Sequence, residues 1–297
     1  MSGARGPDFL CIGAQKAGTT WLHANLSQHS GIWLPPVKEL HVLDHAPPGF
    51  GRRLFGKASH HRLARQNLRD VILGRGKDQS LALALSLAFG ARDAAWYDRL
   101  FEYGGGKVKG EICPGYARIP ADGVKGIHSR YPKAKIIYLL RDPVARAWSS
   151  MAMHYRKDGD DSVGEHGDDT VFAKLKTPKS RGHWAYEQNI EAWTAHYPPD
   201  QIYFGFFDRI AENPDAYLRD ILTFLGVEGH FSPHDPASRV NAGKGETMSQ
   251  AMRYRLSLLL IPEIESMHRR FGNPYTERWL ATARSSTAQG PVAAVFH

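Results

Sequence analysis

The sequence predicts an α/β fold: a P-loop-like central parallel sheet flanked by helices, in one domain. Three observations predict it. Short apolar runs alternate with segments of helical patterning along the chain, the order that builds parallel sheets through helical crossovers. The runs KIIYLL (135–140) and IYFGFF (202–207) are almost wholly apolar, as expected of strands covered on both faces. The first apolar run, FLCI (9–12), leads into GAQKAGTTW (13–21), a strand, a glycine loop and a helix start, the usual layout of a phosphate-binding loop.

In chain order, strands are expected at Phe9–Gly13, Lys107–Cys113, Lys135–Leu140 and Gln201–Phe206. Helices are expected at Gly18–Gln28, Ser80–Phe101, Gly123–Arg130, Pro143–Lys157, Ala185–His196 and Pro214–Leu225. Asp142-Pro143 and Asn213-Pro214 put proline in a first helical turn, where its missing N–H costs nothing. Gly226 follows LRDILTFL as a helix stop. The acidic stretch 158–169, DGDDSVGEHGDD, fails the calcium-loop spacing and reads as a solvated loop. ARSSTAQGPVAAV (283–295) reads as a poorly ordered tail.

Composition narrows the function classes. With 297 residues, 42% hydrophobic and 23% charged, the chain reads as an ordinary globular protein with a sizeable core. Its two cysteines, Cys11 and Cys113, lie in apolar runs and form no zinc pattern. They read as buried thiols in a reducing compartment, and a cytoplasmic location is the expectation. No apolar run approaches the roughly 18 residues of a membrane span. A net charge of +8 suits an anionic ligand. No finger, basic zipper or RNA-binding motif accompanies it, so nucleic acid is not expected as a partner. Arg52, Arg53, Lys57, Arg62, Arg65 and Arg69 fall within Gly51–Arg69. That stretch reads as a solvated helix face, with acceptor steering or an acidic lipid surface as the sharper alternatives.

Three segments carry chemistry. In the loop, the lysine is Lys16, two residues before Gly18, whereas an ATP-binding loop places it just after the second glycine. Amides at Ala17, Gly18, Thr19 and Thr20, with two threonine hydroxyls, would hold an anion at a helix start. In the second segment, Arg141 emerges at the carboxyl end of a buried strand, and Ser149 lies eight residues on in the next helix. A guanidinium and a hydroxyl so placed can grip one phosphate; read alone, they are also a surface Arg–Asp pair and a small helix residue. In the third, PPVKELHVLD (35–44), Lys38, Glu39, His41 and Asp44 are set among apolar residues. A glutamate among cations stays ionised and can accept a proton, although a polar loop capping the sheet fits as well.

Taken together, these residues resemble the sulfotransferase superfamily that uses 3′-phosphoadenosine 5′-phosphosulfate (PAPS), in its heparan-sulfate-type and bacterial branch. Gln15–Thr20 match its Q-K-x-G-T-T loop, and Arg141–Ser149 match R-D-P-x-x-R-x-x-S. Lys38–Asp44 resemble K-E-x-H-F-F-D, with Val42-Leu43 in place of the two phenylalanines. KGEICPGY (109–116) is similar to G-E-x-[ST]-P-x-Y, and RVNAGKGETMS (239–249) to the loop that closes over the nucleotide. The heparan-type branch often carries lysine where this chain has Ile112, and Ser or Thr where it has Cys113. The acceptor side therefore departs from the pattern while the donor side keeps it.

The resemblance implies one sulfotransferase domain over 1–282 and a disordered tail over 283–297. It implies that Gln15, Lys16, Ala17, Gly18, Thr19, Thr20, Trp21, Arg141, Ser149, Lys244 and Gly245 bind PAPS, and that no metal is needed. For Trp21, packing under the loop is favoured over stacking on adenine. Lys16 would neutralise the bridging oxygen of the leaving group. Glu39 would be the general base, with His41 as the alternative, and Lys38, Glu39, His41 and Asp44 would face the acceptor. The acceptor is expected to be a small molecule, lipid or saccharide bearing a hydroxyl or amine. The alternatives are a nucleotide kinase, which the lysine position opposes, and an inactive protein binding the bisphosphate product or an anionic glycan.

Overall fold

The structure is a computed structural model, and it describes residues 6–45, 58–75, 80–157, 167–177, 182–227 and 247–290. Five parallel strands form its sheet: β1 (Phe9–Gly13), β2 (Ile32–Trp33), β3 (Val108–Ile112), β4 (Lys135–Leu140) and β5 (Ile202–Phe206). Their spatial order is β2-β3-β1-β4-β5. β1 pairs with β3 through Phe9–Gly110 and with β4 through Phe9–Lys135, and β4 pairs with β5 from Ile136–Ile202 to Leu140–Phe206. Every residue of β1 is buried, as are five of the six in β4, which is why these strands read as unbroken apolar runs. After β1 the chain goes out to β2 and β3 on one side, then crosses to β4 and β5 on the other. The β1 loop therefore sits at the point where strand order reverses, the place where open α/β sheets bind ligands.

The first helices are α1 (Thr19–Leu26), α2 (Ala58–Ile72), α3 (Leu81–Phe89), α4 (Ala94–Glu102), α5 (Ala121–Arg130) and α6 (Pro143–Lys157). Then come α7 (Asp168–Leu175), α8 (Tyr186–Thr194), α9 (Asp208–Glu212), α10 (Pro214–Leu225), α11 (Gln250–Phe271) and α12 (Pro274–Ala288). α6 starts at Pro143 as expected, and its first turn is tied by Asp142 Oδ1, which accepts from Val144 N at 3.0 Å. α10 is capped by Asn213, which accepts from Ala216 N, and stops at Gly226 in the left-handed region.

Four expectations need correction. The single helix expected over Ser80–Phe101 is two helices, α3 and α4. Gly90 ends the first, and the Asp93 side chain starts the second by accepting from Trp96 N at 2.7 Å. The two-residue β2 was not anticipated; it is too short to show a period. α11 was not anticipated either, because Pro262 interrupts its pattern, yet Ser249 caps its start and Gly272 its end. The tail expected from residue 283 is helical to Ala288, held by an Asn273–Thr276 capping box and by burial of Trp279, Leu280 and Ala283. Of the acidic stretch, Asp168 and Asp169 form the first turn of α7, where negative charge favours the helix dipole. Its residues 158–166 lie outside the described residues.

Candidate active site

Four chain segments meet at the carboxyl edge of the sheet: the loop after β1, the segment after β2, the turn after β3 and the start of α6 after β4. In the β1 loop, Lys16 has φ +70° and Gly18 φ +94°. A Cβ on Gly18 would come within 2.5 Å of Ile210 Cδ1 and 3.2 Å of Phe207 Cδ2, so both conformation and space require glycine there. The turn uses one expected donor: Ala17 N donates to Ala14 O at 3.1 Å. Ala17 is also fully buried, so its amide closes the loop and does not face a ligand. The N–H groups of Thr19, Thr20 and Trp21 begin α1, where no intrahelical partner exists. The ring of Trp21 is a core ring, stacked on Tyr217 with centroids 5.6 Å apart. Only its backbone is at the loop.

Arg141 ties the second segment to the first. Its Nη1 donates to Lys16 O at 2.9 Å, and its guanidinium lies over the Phe207 ring at 4.4 Å. Burial lowers its pKa from the ordinary arginine value, which leaves it a cation throughout the physiological range. Tyr186 Oη accepts from Arg141 N at 3.3 Å and donates to Arg141 O at 3.1 Å, so the tyrosine holds both backbone groups of that residue. Ser149 is half-buried on α6, two turns after the strand end. Lys244 and Gly245 lie outside the described residues.

The third segment crosses to the first through Lys38, whose Nζ donates to Thr20 Oγ1 at 3.0 Å and sits 3.6 Å from Glu39 Oε1. Glu39 and His41 both adopt left-handed backbone conformations, φ +60° and +54°. Their side chains meet, with His41 Nε2 3.7 Å from Glu39 Oε2, and His41 Nδ1 is 2.6 Å from Asp44 Oδ2. The imidazole thus bridges two carboxylates. Glu39 is 35% exposed while His41 is 7% exposed, so it is the glutamate that an incoming molecule would meet. His41, Asp44 and Cys113 place potential metal-ligand atoms within 4.8 Å of one another. Burial, with Glu111, Asp44 and Glu39 nearby, holds the Cys113 thiol well above its ordinary pKa.

Sequence reasoning passed over the residue that supports this segment from below. Glu111, at the end of β3, is buried, and its carboxyl accepts from Leu40 N at 2.8 Å, from Tyr116 Oη at 2.9 Å and from Tyr97 Oη. Leu40 lies between Glu39 and His41. Tyr116 Oη in turn accepts from Val42 N at 3.2 Å and from Leu43 N at 3.4 Å. Burial pushes the Glu111 pKa up to about 7, opposed by the hydrogen bonds from Tyr97, Tyr116 and Leu40. A Cβ on Gly115 would lie 2.8 Å from both Asp44 Oδ2 and His41 Cε1, so the β3 turn needs glycine to admit the histidine. A second overlooked residue is His23 on α1, whose pKa burial and the Lys38 charge push down to about 4. It is a neutral imidazole beside that lysine. The signal for Glu111 was present in the sequence as KGEICPGY; its burial and its bond to the Leu40 amide, 71 residues away in sequence, were not.

The Sulfotransferase family's sequence model matches residues 7–233. The chain belongs to the sulfotransferase family. It is 27% identical over 239 residues to the human bifunctional heparan sulfate N-deacetylase/N-sulfotransferase 3, covering 76% of this chain and 23% of that protein. The Drosophila melanogaster bifunctional heparan sulfate N-deacetylase/N-sulfotransferase is 25% identical over 237 residues, covering 75% and 20%. The chain thus spans about a quarter or less of the length of these relatives. Among solved structures, a sulfotransferase from Alicyclobacillus acidocaldarius superposes with a TM-score of 0.62 at 24% identity, over 92% of this chain and 98% of that one. A sulfotransferase domain from the curacin biosynthetic pathway gives 0.53 at 17% identity, over 82% and 81%. Both likenesses concern the fold. It is the expected one, a central parallel sheet flanked by helices.

Proposed function

We propose that the protein transfers a sulfuryl group from PAPS to a hydroxyl or amine acceptor, with Glu39 as general base. The observation that carries this reading is that the β1 loop is tied on one side to Arg141 by a hydrogen bond and on the other to Glu39 through Lys38. Arg141 holds the Lys16 carbonyl, Lys38 bridges Thr20 and Glu39, and Glu39 is the exposed member of the Glu39–His41–Asp44 cluster. The donor set fits the nucleotide's charges: helix-start amides and Lys16 for the 5′ end, Arg141 and Ser149 for the 3′-phosphate. Gln15 Oε1 is buried and has no hydrogen-bond partner among the described residues, which adds a polar side chain awaiting a ligand donor.

Bound PAPS supplies the sulfuryl group and the 3′,5′-bisphosphate leaving group. Glu39 takes the proton of the acceptor as its oxygen or nitrogen bonds to sulfur. Lys16 offsets the negative charge that gathers on the bridging oxygen as the sulfur–oxygen bond breaks. His41, held by Asp44 and facing Glu39, orients that carboxylate and shares its proton. Similarity to N-sulfotransferases keeps an amine among the acceptors. Small-molecule, lipid and saccharide acceptors are all open to the exposed side of Glu39.

Calorimetric titration with adenosine 3′,5′-bisphosphate and with ATP, each with and without magnesium, tests the donor. Tight magnesium-independent binding of the bisphosphate alone supports the proposal, and preference for magnesium–ATP overturns it in favour of a kinase. Transfer of label from PAPS across a panel of acceptors then separates an enzyme from an inactive binding protein.

A further inference from the structure

The helical pair α2–α3 carries an unusual surface. α2 and α3 pack on each other, with a small core of Leu68, Ala84 and Ala88 separate from the main one. Ala64, Leu83 and Leu87 anchor the pair to the main core. The opposite side is apolar and bare. Leu81, Ala82, Leu85 and Phe89 are all exposed, and at 100° per residue they form one stripe about 100° wide along α3. α3 contains no charged residue. Leu63 and Ile72 on α2 and Leu73 just after it are exposed as well, with Ile72 and Phe89 each 66% exposed. Five of the eight exposed large hydrophobic residues among the described residues lie on these two helices, and a sixth, Leu73, directly follows α2; the α3 stripe is their continuous part.

The fully exposed charges on and just after α2 have one sign. Arg62, Arg65 and Arg69 are exposed on α2, and Arg75 is exposed just after it. The one acid from 58 to 75 is Asp70, which is half-buried. A protein partner of matching chemistry would have to offer a greasy groove ringed by acids. An anionic bilayer offers both features at once: an acyl boundary for the apolar stripe and headgroup phosphates for the arginines. No helix among the described residues is long and apolar enough to cross a membrane, so the contact would be interfacial.

We propose that the α2–α3 pair docks the protein on an anionic lipid surface, with Leu81, Leu85 and Phe89 entering the headgroup boundary and Arg62, Arg65 and Arg69 pairing with lipid phosphates. This does not depend on the proposed reaction. The test is co-sedimentation of the full chain with vesicles of phosphatidylcholine alone or mixed with phosphatidylserine, at low and high salt. Binding should require phosphatidylserine and weaken with salt, since each arginine near such a surface is worth about fivefold in affinity. Leu85→Glu with Phe89→Glu should abolish it, and Arg65→Gln with Arg69→Gln should weaken it at least tenfold. Both variants expose their new side chains to water and should keep the circular dichroism of the parent. Absence of vesicle binding by the parent overturns the proposal. So does a concentration-dependent dimer that Phe89→Glu dissolves, which would assign the stripe to a second copy of the chain.

Discussion

At the scale of single residues, the site depends on carboxylates in different surroundings. Glu39 is half-buried beside Lys38 and His41, whereas Glu111 is fully buried among two tyrosines and an amide. Replacing Glu39 with Gln removes the proposed proton acceptor while keeping size. Turnover should fall by about 10²–10⁴, with bisphosphate affinity unchanged in a calorimetric titration. If Glu39→Gln retains full turnover, the base lies elsewhere, and His41 is the next residue to replace. Glu111 makes a different prediction, about pH. Its pKa stands at about 7 in the fold against 4.5 for an ordinary glutamate, so folding takes up a proton between those values. The stabilisation this gives is complete below about pH 4.5 and is lost as pH rises through about 7. The shift corresponds to roughly 3 kcal/mol. In Glu111→Gln, the fall in unfolding free energy between pH 4.5 and 7 should shrink by that order, read from urea midpoints. The variant should also lose turnover through the Leu40 backbone while binding the bisphosphate normally. An unchanged pH slope would show that Glu111 is ionised like a surface carboxylate.

At the scale of elements, the β1 loop and α1 act as one unit. Gly18 has φ +94° and its missing Cβ is where Ile210 and Phe207 approach. Gly18→Ala should therefore cost about 1–3 kcal/mol and displace the helix-start amides. Its signature is a lowered denaturant midpoint together with weaker bisphosphate binding; a variant that binds normally would show that the loop tolerates the strain. This loop was readable from sequence because its whole pattern is local: strand, glycines and helix start lie within thirteen residues. Arg141 was readable for the same reason, since a buried strand and an Asp-Pro helix start flank it directly. The α3–α4 break was missed because the apolar runs on both sides share a helical period, and only the short stretch from Gly90 to the Asp93 cap separates them. The spent amide of Ala17 could not be seen either, because turn bonding within a glycine loop depends on dihedral angles that composition does not encode. Glu111 was missed for a topological reason. Its partners Leu40 and Tyr97 reach it only because β3 inserts between β1 and β2.

At the scale of the whole molecule, charge and linkage decide how the donor arrives and what its binding does. The chain carries +8, a count that includes Lys16 and Arg141, the proposed donor contacts at the sheet edge where strand order reverses. A bisphosphate nucleotide approaching this surface is steered by the field, and salt screens that field over about 10 Å at 0.1 M. Raising ionic strength should therefore lower kcat/KM for PAPS several-fold while leaving kcat at saturation nearly unchanged, because the contacts to Lys16 and Arg141 inside the site are screened far less. The same ligand should join the loops of β1 and β4, which are linked in the protein alone by the Arg141–Lys16 hydrogen bond. Bisphosphate at a hundred times its dissociation constant should then stabilise the fold by about 2.7 kcal/mol. For a domain of this size that raises Tm by roughly 5–10 °C. Arg141→Ala removes both the loop tie and the proposed 3′-phosphate grip, so it should erase most of that rise while Glu39→Gln keeps it. Equal thermal shifts in the two variants would mean that the 3′-phosphate is held by residues other than Arg141.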